Sequence, residues 1–208
     1  MHFEKNILQK SKSCLQKGCV RAIQAAMSTL AQRKMTVDEF LAWAEGREGR
    51  WELYNGVPYQ MAPERTRHAK IKGAIYLALL RAVQEAGVPC HVLPDGVGVR
   101  ISQHVMHIPD AQVYCGPELD ALEVPNPAIV AEVISPSTRK FDETVKLNGY
   151  FSLPSVHHYL IVDPDGPPVV HHSRQVDGTI LRSVVHDGSL TLSPPGIKLG
   201  VAELLAAA

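Results

Sequence analysis

Long apolar runs are missing from this sequence. No stretch approaches the ~20 residues that a helix needs to cross a bilayer, so no membrane partner is expected. A secretory h-region is missing too, which points to a cytoplasmic location. Neither charge sign is in surplus, with 21 Lys plus Arg against 21 Asp plus Glu. The whole-domain basicity of many nucleic-acid binders is therefore absent, although a local basic groove is compatible with a neutral total. Cysteine is scarce, and Cys14, Cys19, Cys90 and Cys115 form no C-x-x-C pair. That leaves no zinc spacing, and the expectation is reduced thiols in a cytosolic protein. No internal repeat or low-complexity tract occurs, which removes repeat architectures.

What is present is an ordinary globular composition, 45% hydrophobic and 20% charged over 208 residues, enough to bury one real core. Residues 1–34 differ from the rest: Lys5, Lys10, Lys12, Lys17, Arg21, Arg33 and Lys34 stand against one acid, Glu4. A basic amphipathic helix, a targeting presequence, or an over-extended start before Met27 or Met35 would each look like this. The segment is expected to be helical or poorly ordered and to lie outside a core domain of residues 35–208.

The core opens with "MTVDEFLAWAE", where Thr36 and Glu39 form a capping box ahead of a helix. In "RWELYNGVPYQMAP", Asn55-Gly56 between two short alternating runs predicts a hairpin, because a type I′ turn needs positive φ at both positions. From His68, the helical stripe Ile71, Ile75, Leu79 and Ala82 runs to a stop at Gly87. Short strands are predicted over Cys90–Leu93, Val97–Ile101 and Asp110–Tyr114, then at 128–134. A helix ending near Leu153, a strand over His157–Val162, an antiparallel hairpin and a short terminal helix complete the chain. This order predicts an α/β architecture, a mixed sheet flanked by helices.

The run "PNPAIVAEVIS" at 125–135 carries a problem of its own. It reads as a central strand covered on both faces, yet Glu132 interrupts it on the face of Val130 and Ile134. An ionised carboxylate there costs several kcal/mol unless it is paired or metal-bound. One reading is a structural ion pair; the other is a metal ligand or catalytic acid. Asp110, after Ile108-Pro109, leads into another strand. If the two strands are neighbours, two carboxylates meet and cannot both stay ionised without a cation. A hard divalent ion, Mg²⁺ or Mn²⁺, suits such an oxygen site. Asp142 and Lys146, at i,i+4 spacing, would form an exposed ion pair.

Other candidates are weaker. His157-His158 and His171-His172 are adjacent in sequence, so the members of each pair point to opposite strand faces and cannot chelate together. His68, at a helix start, could touch a phosphate. Ser135 and Ser137 lack a nucleophile-elbow context. Tyr150 reads as core packing. Arg139-Lys140 could meet a nucleic-acid backbone or be a solvated helix start.

Glu52 in "WELYNG", then "HIPDAQVY", then "IVAEVISPSTRKFDETVKLNGYFSLPSVHHYLIVDP" resemble, in order and spacing, the Uma2 family (DUF820) of the PD-(D/E)XK nuclease superfamily. The resemblance spans about residues 36–206 and does not reach residues 1–34. It implies a restriction-endonuclease-like fold with added antiparallel hairpins, and a metal-dependent endonuclease acting on DNA. Asp110 and Glu132 would hold Mg²⁺ or Mn²⁺, with the backbone carbonyl of Val133 as a third ligand. Glu52 would assist the metal or its water. The superfamily's lysine normally lies two residues after the second acid, where this chain has Ile134; Lys146 on the following helix is the candidate replacement. DNA is the implied partner, and a homodimer is one assembly open to the chain. The rival expectations are a catalytically inactive nucleic-acid or protein-binding module that keeps the fold, and a hydrolase of small phosphoesters.

Overall fold

The computed structural model describes residues 34–135, 138–165 and 169–205. The basic N-terminal segment up to Arg33 lies outside them.

Helix α1 (Val37–Ala44) begins where the capping box predicts. The Glu39 amide donates to the Thr36 hydroxyl at 3.2 Å, and the Thr36 amide donates to the Glu39 carboxylate at 2.9 Å. Strands β1 (Trp51–Tyr54) and β2 (Val57–Gln60) form the expected hairpin, with φ of 52° at Asn55 and 79° at Gly56. Helix α2 (Thr66–Ala86) stops at Gly87, which adopts the left-handed conformation with φ 61°. Strands β3 (Cys90–Pro94), β4 (Val99–Ser102), β5 (Val105–His107), β6 (Ala111–Cys115) and β7 (Pro127–Val133) follow.

Next come α3 (Arg139–Phe141), a π-helical turn (Asp142–Lys146) and α4 (Leu147–Ser152). Strands β8 (His158–Val162), β9 (Val169–Arg174), β10 (Ile180–Val185), β11 (Ser189–Leu192) and β12 (Ile197–Gly200), then α5 (Val201–Leu204), finish the described chain.

The main sheet has six strands in the order β10-β9-β8-β7-β6-β3. It is mixed, because β7 and β8 run parallel while every other neighbouring pair is antiparallel. A second sheet has the order β2-β1-β5-β4, and among the described residues β11 pairs only with β12. The predicted mixed sheet with flanking helices and added hairpins is the observed architecture.

Strand β7 is covered on both faces. Ile129, Ala131 and Val133 join the α2 residues Ile71, Ile75 and Leu79 in one core. Val130 and Ile134 join Tyr150 and Tyr159 in the other. Each fully buried aliphatic side chain of this kind contributes about 1.5–3 kcal/mol. Ile134, at the position where the superfamily's lysine is expected, is only 2% exposed and packs in that second core.

The register corrects one expectation. Cys90 lies opposite Cys115 across β3 and β6, with Cα atoms 3.9 Å apart, and the two form a disulfide instead of remaining free thiols. Sequence spacing could not reveal this, because the pair is 25 residues apart and is made adjacent by strand pairing alone.

Candidate functional site

The π-helical turn over Asp142–Lys146 interrupts the helical stretch above β7. Such turns re-aim side chains locally and often occur at functional sites. Here Asp142 and Lys146 both turn inward and are 3% and 4% exposed. They do form an i,i+4 pair, at 3.7 Å, but it is buried, unlike the exposed pair the sequence allows for.

The Lys146 ammonium is 2.9 Å from Glu132 and 3.0 Å from Glu52. The Tyr150 hydroxyl donates to the same Glu132 oxygen at 2.7 Å, so Tyr150 does more than pack. The amide of Ile108 donates to Glu52 at 2.8 Å, which fixes that carboxylate from the chain segment leading to Asp110.

The single mixed sheet that the sequence predicts would carry Glu52, Asp110 and Glu132 together. Glu52 instead lies in the smaller sheet, while Glu132 lies in the larger one and Asp110 directly precedes β6. The carboxylates converge because the two sheets meet over Lys146, not through strand pairing. Beside Glu52, His107 is fully buried, and burial lowers its pKa to about 4, with the Lys146 charge adding to the effect and Glu52 opposing it.

Asp110 belongs to a second group of charges. Its backbone amide donates to the Ala131 carbonyl at 3.0 Å, and its carboxylate accepts from the Val133 amide at 2.7 Å. The Lys72 ammonium, from α2, lies 2.8 Å from Asp110, 2.8 Å from Glu64 and 2.6 Å from Asp95. Arg50 pairs with both Glu64 and Asp95. The His68 ring is 3.8 Å from Asp110.

The two groups differ in electrostatic state. Burial raises the pKa of Glu132 well above the ordinary carboxylate range; Lys146 opposes this, and the like charges of Asp110, Asp142 and Glu52 reinforce it. Burial also pushes Asp110 upward, but His68, the Lys72 ammonium and the Val133 amide outweigh it and hold its pKa below the ordinary value. Lys146 keeps a raised pKa, because the surrounding acids outweigh the effect of burial, so it is an ammonium at neutral pH.

Both groups line one cavity of about 1280 Å³, which Glu52, Glu64, His68, Asp110, Glu132 and Lys146 all reach. The donor set fits a divalent cation. Among the described residues, Glu64, His68 and Asp110 present ligand atoms within 4.8 Å of one another. Glu132 is not a member of that trio, and the excess negative charge that raises its pKa is what a cation would relieve.

Sequence reasoning missed Lys72, Glu64, Asp95 and Arg50. Lys72 could have been found: it lies four residues after His68 and three before Ile75, on the buried stripe, where an ammonium needs acidic partners. Asp95 hides in Pro94-Asp95-Gly96, which reads as an ordinary turn. Arg139 pairs with Asp163 at 2.6 Å, so it is not held ready for a nucleic-acid backbone.

Comparison with known proteins identifies the family and the fold. Residues 37–208 match the model of the Uma2 family, described as "Putative restriction endonuclease". The chain belongs to the Uma2 family. An uncharacterized protein from Synechocystis is 26% identical over 148 residues, covering 70% of this chain and 77% of that protein. The crystal structure of a "putative nuclease belonging to DUF820" from Anabaena variabilis superposes with a TM-score of 0.65. It covers 83% of this Uma2 chain and 98% of its own, and at 17% identity the likeness speaks to fold alone.

Proposed function

We propose that this chain is a metal-dependent endonuclease that hydrolyses DNA phosphodiester bonds. The observation that carries the reading is the meeting of Glu52 and Glu132 on the Lys146 ammonium, beside Asp110, in one cavity. Asp110 and Glu132, with the backbone carbonyl of Val133, would hold one or two Mg²⁺ or Mn²⁺ ions; His68 and Glu64 flank Asp110 as further donors. A divalent ion in such a site acidifies water and neutralises charge on the phosphate. The side chains supply orientation. Lys146, whose pKa the surrounding acids raise, would serve as an ammonium: its role is to hold water against Glu52 and to offset negative charge growing on phosphorus. Tyr150 fixes the rotation of Glu132. In the reaction a P–O bond forms to water, the bond to the leaving sugar oxygen breaks, and that oxygen takes up a proton.

The second reading, a binding module without catalysis, draws on Lys72, which already gives Asp110 a counter-charge at 2.8 Å. Plasmid and linear DNA incubated with Mn²⁺, Mg²⁺ or EDTA separate the two readings. The nuclease reading expects metal-dependent cutting by the wild type and none by Glu132→Gln. If the wild type cuts no DNA with either metal, the binding module takes its place.

A further inference from the structure

We infer that the substrate enters this site as an unpaired strand, with a base stacked on Tyr59. The inference rests on the nuclease reading and names the form of nucleic acid that the cavity takes. Strand pairing sets Tyr59 directly opposite Glu52, and Tyr54 lies two residues after Glu52 on the same strand. Glu52, Tyr54 and Tyr59 therefore share one face of the β1–β2 hairpin, and all three line the cavity. Tyr59 is 65% exposed. Tyr54 leans edge-on against Phe141 at 5.2 Å, whereas Tyr59 has no aromatic neighbour among the described residues. An aromatic face left open beside a nuclease carboxylate offers a base the sequence-tolerant stacking used by proteins that bind single strands.

Depth and charge favour the same form. Asp110 and Glu132 are 5% and 4% exposed where they line the cavity, so a phosphate has to come close to buried acids, which a flexible strand does more readily than a stiff duplex. Duplex binding draws chiefly on many lysine and arginine contacts to phosphates. This cavity has few cations to offer. Arg50 is engaged by Glu64 and Asp95, and Arg67 by Asp165. Arg65 remains at the start of α2, whose first turn carries no acid, and has no ion-pair partner among the described residues. With a formal net charge of zero, stacking has to carry a share of affinity that a basic protein would draw from charge.

Fluorescence anisotropy tests this in EDTA, where nothing is cut, with a labelled oligothymidylate and with a duplex of the same length. The wild type should bind the strand about tenfold more tightly than the duplex. Tyr59→Ala should weaken strand binding about tenfold, the size expected for one stacked base. Tyr59→Phe, which keeps the ring, should bind like the wild type. Equal binding of strand and duplex, no binding of the strand, or wild-type affinity in Tyr59→Ala overturns the inference. Cutting assays with Mn²⁺ run in parallel keep the two ideas apart. Duplex cut while strands are spared leaves the nuclease reading standing and removes this one. Strand binding through Tyr59 with no cutting of any DNA does the reverse.

Discussion

Two buried lysines serve neighbouring acids, and their surroundings differ. Lys146 sits among Glu52, Glu132 and Asp142, which are 9%, 4% and 3% exposed, so one ammonium faces three sealed carboxylates. Lys72 also faces three carboxylates, but Arg50 shares two of them, and the Glu64 and Asp95 side chains are 19% and 30% exposed. The Lys72 group is close to balanced and screened by water, while the Lys146 group carries uncompensated negative charge away from solvent. The excess settles on Glu132, whose pKa burial and like charges raise, and not on Asp110, which its partners hold low. On the proposed nuclease reading, this contrast would put a cation's work on the Glu132 side of Asp110.

The largest effect expected from breaking this contrast is in Lys146→Met. Removing the one cation among sealed acids should cost about 3–5 kcal/mol of stability, measured by urea unfolding of the metal-free protein. A loss no larger than that of a surface pair would show that water reaches this group. Glu132→Gln should behave in the opposite way. It removes a repelled charge, so the metal-free protein keeps or gains stability, but the stabilisation by Mn²⁺ disappears. That stabilisation should be about 2.7 kcal/mol at a hundredfold excess over Kd. A large loss in the metal-free protein would mark Glu132 as half of a structural ion pair instead.

Lys72→Met should cost less than Lys146→Met, about 1.5–3 kcal/mol, because Arg50 stays beside Glu64 and Asp95. It should also tighten Mn²⁺ binding, since an ammonium 2.8 Å from Asp110 competes with a metal there. Weaker Mn²⁺ binding in Lys72→Met would mean that Lys72 positions Asp110 and does not compete at it.

How much of this was legible beforehand followed the range of the interactions. The Asn55-Gly56 turn, the Thr36 cap and the stripe on α2 depend on neighbours in the chain, and each lies where its local pattern indicates. A lone acid in the apolar run of β7 was legible as a buried charge. The meeting of Glu52 with that strand was not, because it arises where two separate sheets pack together. Lys72 left a weak trace, a cation on an apolar stripe. The Cys90–Cys115 bond left none. Nor did the histidines announce their pairing: sequence neighbours point apart, but His158 on β8 meets His171 on β9 at 2.9 Å.

Those histidines give the smallest contrast, between the acidic site and the β8–β9 pair. Burial lowers His158, His171 and His172 to about 4, with His171 adding to the effect at His158. They are neutral when folded and titrate near 6.5 when unfolded. Stability is therefore fully present above pH 6.5 and is lost as pH falls toward 4. Asp110 loses its contribution only below its ordinary value of 3.8. Glu132 and Asp142, whose pKa values burial raises, act in the opposite direction. The test therefore compares urea midpoints of His158→Phe with those of the wild type. The wild type should lose more stability between pH 7 and pH 5 than the variant, and equal losses would mean that these rings are hydrated.

The central claim is that Asp110 and Glu132 hold a divalent cation between the two lysine groups. Calorimetric titration of Mn²⁺ into the wild type, Asp110→Asn and Glu132→Gln tests it most directly. The account predicts saturable binding to the wild type and at least tenfold weaker binding to each variant. No binding to the wild type, or equal binding to all three proteins, would contradict it.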